Sequence, residues 1–316
     1  IDACLRKPVR RAQLFDALAR VMHQPAASPP APLKENAEAR PMAAPHQSPA
    51  AQRDNRTRVL IAEDNVINQK LAAVQLHTLG YSSDVAANGR EALATLFRAA
   101  YDIVLMDCQM PEMDGYDATR EIRRREGSDR HTVIIAMTAN SMEGDRDKCL
   151  AAGMDDYLTK PVKMEDLRVA LDRWQPARRG LAAPHTESAP AAEVRAAPEG
   201  VLDESVLEGL RALQDRSAPD LLKNLIGLFL DDTPARLEAV RDAVQQKQAV
   251  SLARLAHALK GAAANLGVLS MTQTCAQLEQ LGRSEETHAA PGLVTRLEAE
   301  FDEVRLLFRN MAGPSG

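Results

Sequence analysis

The sequence predicts a doubly wound parallel α/β sheet followed by an all-α helical bundle, and three observations support this. Short runs that are apolar on both faces, Val59-Leu60-Ile61-Ala62, Ile103-Val104-Leu105-Met106 and Val133-Ile134-Ile135-Ala136-Met137, alternate with helical patterns across residues 57–175. Parallel strands covered by crossover helices on each side have this composition. From about residue 201 the apolar positions recur only at helical spacing. Proline- and alanine-rich tracts over 24–56 and 176–200 set these segments apart, and both are expected to be disordered linkers because they offer too little apolar surface to offset chain entropy.

The expected α/β unit is a five-stranded sheet. Leu71, Val74, Leu76 and Leu79 ahead of Gly80, and then Ala92, Leu93, Leu96 and Phe97, supply helices between the strands, and Tyr157-Leu158 forms a short last strand. In the bundle, Ser205 with Glu208, Ser217 with Asp220, Thr233 before Pro234 and Ser270 with Gln273 read as helix starts. Apolar stripes follow them: Leu207, Leu210 and Leu213, then Leu221, Leu222, Leu225 and Phe229, then Leu237, Val240 and Val244. Residues 1–23 repeat part of the sheet unit, since Ile1-Asp2-Ala3-Cys4-Leu5-Arg6-Lys7-Pro8-Val9 aligns with Met154-Asp155-Asp156-Tyr157-Leu158-Thr159-Lys160-Pro161-Val162. The expectation is a C-terminal remnant of a second copy, in a chain that is itself the C-terminal piece of something longer.

Bulk composition excludes several function classes. Of 316 residues, 45% are hydrophobic, 26% charged and only 3% aromatic, which suits Ala- and Leu-filled helical cores. A net charge of -5 argues against a nucleic-acid surface, because neutralising phosphates needs clustered Lys and Arg. No run approaches the roughly 20 apolar residues of a membrane span, so no direct membrane contact is expected in this segment. Cys4, Cys108, Cys149 and Cys275 lack CxxC spacing and nearby histidines, pointing to a reduced compartment without a zinc site.

Chemistry is expected where the strands end, since ligand crevices of open α/β sheets lie at the carboxyl ends. The first strand runs into Glu63-Asp64, the third into Asp107, the fourth into Thr138 and the fifth into Lys160-Pro161. Three carboxylates in one crevice repel each other unless a cation or proton intervenes. A hard divalent ion such as Mg²⁺ relieves this and leaves sites for phosphate oxygens and water. Lys160 then offers positive charge and Thr138 a hydroxyl to an anion, a set suited to phosphoryl transfer onto an aspartate.

At residues 57–174 the chain resembles the receiver domains of two-component signalling, through Glu63-Asp64-Asn65, Met106-Asp107-Cys108-Gln109-Met110-Pro111-Glu112-Met113-Asp114-Gly115, Thr138-Ala139 and Thr159-Lys160-Pro161. The resemblance implies a flavodoxin-like fold with Asp107 as phosphoacceptor. It also implies Mg²⁺ on Asp64, Asp107 and the Gln109 backbone carbonyl, Glu63 acting directly or through water, and Thr138 and Lys160 on the phosphoryl oxygens. A cis Lys160-Pro161 peptide is implied too, with Tyr157 in the place of a switch aromatic. The N-terminal remnant retains Lys7-Pro8 but has Cys4 at that aromatic position.

In the bundle, Leu252, Leu255, Leu259, Ala263 and Leu266 share one helical face, which puts His257 roughly 160° from the centre of that stripe. The imidazole is therefore expected to face solvent. Gly261 sits one turn on, despite costing about 1 kcal/mol relative to Ala in a helix, which suggests room for a partner. The run His257-Ala258-Leu259-Lys260-Gly261-Ala262-Ala263-Ala264-Asn265-Leu266-Gly267 resembles the signature of histidine phosphotransfer (HPt) domains, over about 201–312. That resemblance implies His257 as phosphocarrier, with Glu279 or Gln277 orienting its ring.

Together these resemblances imply the cytoplasmic end of an unorthodox hybrid sensor histidine kinase, anchored upstream in the inner membrane. Its partners would be an upstream kinase histidine and a downstream response regulator receiver. No Gly-rich ATP motif is visible, so ATP-dependent autophosphorylation is not expected of this chain. Two alternatives stand beside the relay: a pseudo-receiver acting as a non-catalytic interaction module, and a receiver acting as a phosphate sink for the HPt domain.

Overall fold

The computed structural model describes residues 57–127, 130–139, 143–174 and 200–311. The N-terminal repeat and both linker tracts lie outside these residues.

Five parallel strands, β1 (Arg58–Ala62), β2 (Ser82–Ala86), β3 (Ile103–Asp107), β4 (Val133–Thr138) and β5 (Asp156–Thr159), form one sheet in the order β2-β1-β3-β4-β5. Helices α1 (Val66–Thr78), α2 (Gly89–Arg98), α3 (Gly115–Glu126) and α4 (Glu143–Ala151) make the four crossovers, and α5 (Met164–Trp174) follows the last strand. The doubly wound expectation holds, and its cause is visible in the burial. Every residue of β3 and β4 is buried. One apolar cluster, with Leu60, Val104 and Ile134, lies under α2 and α3, and another, with Ile61, Leu105 and Ile135, lies under α1 and α5. The register pairs Ala62 with Met106 and Asp107 with Met137, so the polar residues that follow the strands emerge along one edge.

The second part is all helix: α6 (Glu204–Ser217), α7 (Leu221–Gln245), α8 (Ala249–Asn265), α9 (Leu269–Arg283) and α10 (Ala290–Met311), with a short 3-10 turn at Thr287–Ala289. Leu225, Phe229, Val240, Leu259, Leu278 and Phe308 fill its core, and Phe229 meets the edges of Phe301 and Phe308 at centroid distances of 6.0 and 6.1 Å. Helix α9 lies close against α8 at Gly282, where a Cβ would fall 2.6 Å from the Ala253 nitrogen.

Three expected helix starts are corrected. Thr233-Pro234 begins nothing, because α7 runs unbroken through Pro234. Burial of Leu225, Phe229, Leu237 and Val240 along one continuous stripe outweighs the roughly 3 kcal/mol that an interior proline costs. Helix α6 is capped by Asp203, whose carboxylate accepts from Ser205, and α10's predecessor α9 begins at Leu269 without a side-chain cap. The Ser217 and Asp220 pairing is partly realised, since Asp220 is the residue before α7 but makes no side-chain cap.

Helix α1 belongs to both parts. Its Ala72 and Leu76 pack under the sheet, while Ile67 (2% exposed) and Leu71 (6% exposed) enter the core of the bundle against α6, α7 and α8. Sheet and bundle are thus joined through one amphipathic element with two buried faces.

Candidate functional site

β1, β3 and β5 deliver the charged residues of the acidic crevice. One carboxylate oxygen from each of Glu63, Asp64 and Asp107 lies within 4.8 Å of the others. Lys160 Nζ donates to Glu63 Oε2 at 2.6 Å and lies 2.8 Å from Asp107 Oδ2. The latter contact is ionic without hydrogen-bond alignment, leaving Asp107 Oδ2 buried with no hydrogen bond. Asp107 Oδ1 accepts from the Gln109 amide at 3.2 Å. The Lys160-Pro161 peptide is cis.

The electrostatics follow from burial. Desolvation pushes the Asp107 carboxyl above its ordinary range, Lys160 pulls it back, and Glu63 adds repulsion. Asp64 is raised to about 6, first by burial and then by Glu63, against the pull of Lys160 and of Arg236 on α7. Burial would lower the Lys160 ammonium, but Asp107 and Glu63 outweigh it and raise it. An under-bonded carboxylate oxygen within a triad of acids, countered by one ammonium, fits a hard cation with oxygen ligands.

His257 lies in the same place. A cavity is lined by Asp107, Gln109, Thr138, Lys148, His257 and Arg283, so the end of the sheet and the face of α8 enclose one space. The expectation of a solvent-facing imidazole is corrected: His257 is 5% exposed. The helical arithmetic rightly turned it away from the bundle core, but the receiver end of the chain covers that face.

The ring is held from behind. Its Nδ1 is 3.0 Å from Glu279 Oε1, and a carboxylate can only accept, so Nδ1 donates and, in the neutral ring, Nε2 is the nitrogen with the lone pair. Glu279 also accepts from Lys260 Nζ at 2.5 Å and from Arg283. Burial would raise its carboxyl, but His257 and Lys260 bring it down to about 2. Of the two candidates for orienting the ring, Glu279 makes the contact.

Two small-residue features now have neighbours. A Cβ on Gly261 would come within 3.0 Å of Asn68 Nδ2 on α1. Asn65 Nδ2 donates to the Ala258 carbonyl at 3.1 Å, next to His257. Sequence reasoning missed Asn68, Asn265 and Arg283. The first two carried a signal, being amides set in otherwise apolar helical faces.

Comparison with known proteins agrees with this geometry. Residues 59–172 match the response regulator receiver domain and residues 224–306 match the Hpt domain. The sensor protein GacS of Pseudomonas syringae pv. syringae is 33% identical over 251 residues, covering 77% of this chain and 27% of GacS. The signal transduction histidine-protein kinase BarA of Escherichia coli (strain K12) is 29% identical over 306 residues, covering 96% of this chain and 31% of BarA. The chain thus spans about a third or less of the length of these curated relatives. Among solved structures, the receiver domain of a Pseudomonas aeruginosa PAO1 sensor histidine kinase, with magnesium coordinated in its active site cleft, is 47% identical over 38% of this chain and 97% of that one, with a TM-score of 0.35. No helix among the described residues is long and apolar enough to cross a membrane. Residues 59–172 belong to the response regulator receiver family and residues 224–306 to the Hpt family, and the chain joins the two as hybrid sensor histidine kinases of phosphorelay signalling do.

Proposed function

We propose that this chain passes a phosphoryl group between Asp107 and His257, and that it stands between an upstream kinase histidine and a downstream response regulator. One observation carries the reading: Asp107 and His257 line a single cavity. Asp107 takes the phosphoryl group from the upstream phosphohistidine, its carboxylate oxygen forming the new P–O bond as the P–N bond breaks. His257 Nε2 then attacks phosphorus, and Asp107 leaves as a free carboxylate. Glu279 accepts from Nδ1, which makes Nε2 the nucleophilic nitrogen of the neutral ring. Lys160 and the Thr138 hydroxyl neutralise and hold phosphoryl oxygens, and positioning with charge neutralisation supplies most of the catalysis.

The acidic triad suits Mg²⁺, held by Asp64, Asp107 and the Gln109 carbonyl, with Glu63 direct or through water. When bound, the ion offsets negative charge on the phosphoryl oxygens. Domain limits of 57–175 for the receiver and 201–312 for the HPt part accompany this reading, as does a cytoplasmic location. The chain supplies the transfer steps and takes its phosphate from a kinase core elsewhere.

The test uses the whole chain and a labelled acyl phosphate such as acetyl phosphate. Label should reach Asp107 and then His257, where it is acid-labile and base-stable. His257→Gln should stop at Asp107, and Asp107→Asn should take up none. Label that never survives on His257 would instead mark the receiver as a phosphate sink, and an unlabelled chain would mark it as a pseudo-receiver.

A further inference from the structure

A continuous path of buried polar contacts runs from the bundle to the reacting carboxylate. Asn265 Nδ2, at the end of α8, donates to Asn68 Oδ1 at 2.7 Å. Asn68 Nδ2 donates to Glu63 Oε1 at 2.8 Å. Glu63 Oε2 accepts from Lys160 Nζ at 2.6 Å, and Lys160 Nζ lies 2.8 Å from Asp107 Oδ2. Asn65, Asn68, Glu63 and Asn265 are all buried.

Chemistry fixes the sense of the path. Glu63 can only accept, so Asn68 must turn its NH₂ toward it and its carbonyl toward the bundle, where only a donor satisfies it. Asn265 supplies that donor. Gly261 clears the approach, since any Cβ there would press on the Asn68 amide nitrogen. A buried amide left without its partner loses its desolvation energy with nothing in return.

We propose that Asn68 and Asn265 are a positioning pair, through which seating of the histidine helix sets Glu63 and Lys160 for transfer from Asp107, so that the receiver is tuned to a phosphocarrier helix bearing an amide at that point. This inference rests on the relay reading above and adds to it a selection step. Neither amide touches phosphate. Each acts through its neighbour, and removing either leaves the reacting groups in place but unset.

The experiment is transfer between two full-length chains. The donor carries His257→Gln and is labelled at Asp107 with acetyl phosphate; the acceptor carries Asp107→Asn and offers His257. Asn68→Ala is placed in the donor, Asn265→Ala in the acceptor, and the rate is followed as acceptor concentration rises. Each substitution should lower the saturating rate by roughly tenfold, the loss of one charge-linked buried hydrogen bond. The two together should lower it no further than Asn68→Ala alone, because Asn265 acts only through Asn68, which also holds Glu63. Asn265→Asp has the same shape with an acceptor in place of the donor, and should lose at least as much.

A shift confined to the half-saturating concentration would overturn the proposal and make the pair a simple adhesive contact. A hundredfold multiplicative loss in the double variant would also overturn it. The control is the parent chain carrying both Asp107 and His257: failure to move label from its own Asp107 to its own His257 would strike the relay reading itself, separately from the pairing.

Discussion

Separating sheet and bundle should unveil His257, and Ile67→Ser is the perturbation that does so most directly. Ile67 is 2% exposed and packs among bundle residues, outside the clusters under the sheet. Its side chain is therefore buried by docking more than by folding of the sheet. Full burial of an isoleucine contributes about 1.5–3 kcal/mol, and a serine forfeits nearly all of it while placing a hydroxyl in an apolar seat. A loss of about 2 kcal/mol shifts the docked-to-separated ratio roughly thirtyfold. The assay is carbethoxylation of histidine by diethyl pyrocarbonate, read peptide by peptide by mass spectrometry. The His257 peptide should react roughly thirtyfold faster in the variant, in line with the ratio. Histidines already open, such as His131 with its 60% exposed side chain, should not change. Internal transfer from Asp107 should slow in parallel, while release of phosphate to an added receiver quickens. An unaltered His257 rate would refute the reasoning. So would a lowered melting temperature of the sheet part, since Ile67 would then be supporting that core.

Asp64→Ala should abolish acceptance by Asp107 at ordinary Mg²⁺, and chelation of the parent chain should do the same, read as label at Asp107. Because burial and Glu63 raise Asp64 to about 6, its ionised form destabilises the metal-free fold; that penalty is absent below its usual 3.8 and present above about 6. Asp64→Asn should thus stabilise the fold at pH 7 without added metal, by an amount on the order of 3 kcal/mol at most, read as a raised thermal midpoint. Glu279 titrates the opposite way. Its carboxyl is depressed from 4.5 to about 2, so it stabilises the bundle above pH 4.5 and this is lost as pH falls toward 2; Glu279→Gln should flatten that limb of an acid melt and slow transfer to His257 by roughly tenfold. Gly261→Ala should strengthen α8 by about 1 kcal/mol in a melt yet slow internal transfer, because the added methyl meets Asn68.

Much of this was legible in the sequence because strand ends are positions where order along the chain becomes proximity in space. Glu63, Asp64, Asp107 and Lys160 follow apolar runs that only a buried parallel sheet explains, and the sheet then brings them together. His257 was legible in its direction and not in its cover. Helical periodicity describes a face relative to the helix's own core, and it carries no information on what packs against the opposite side. Asn68 and Asn265 escaped for the same reason: 197 positions separate them, and each amide has meaning only beside the other. Thr233-Pro234 misled because a capping pair looks identical whether or not a long apolar stripe continues through it.

The near-contact of α8 and α9 at Gly282 has its own consequence. With 2.6 Å between the place of a Cβ and the Ala253 backbone, every other residue at 282 must pry the hairpin apart. Gly282 lies three residues past Glu279, so such a wedge would slide the carboxylate off the imidazole without altering either group. A random screen for silent signalling should therefore return lesions at a residue with no functional group at all, and their phenotype would mimic loss of Glu279.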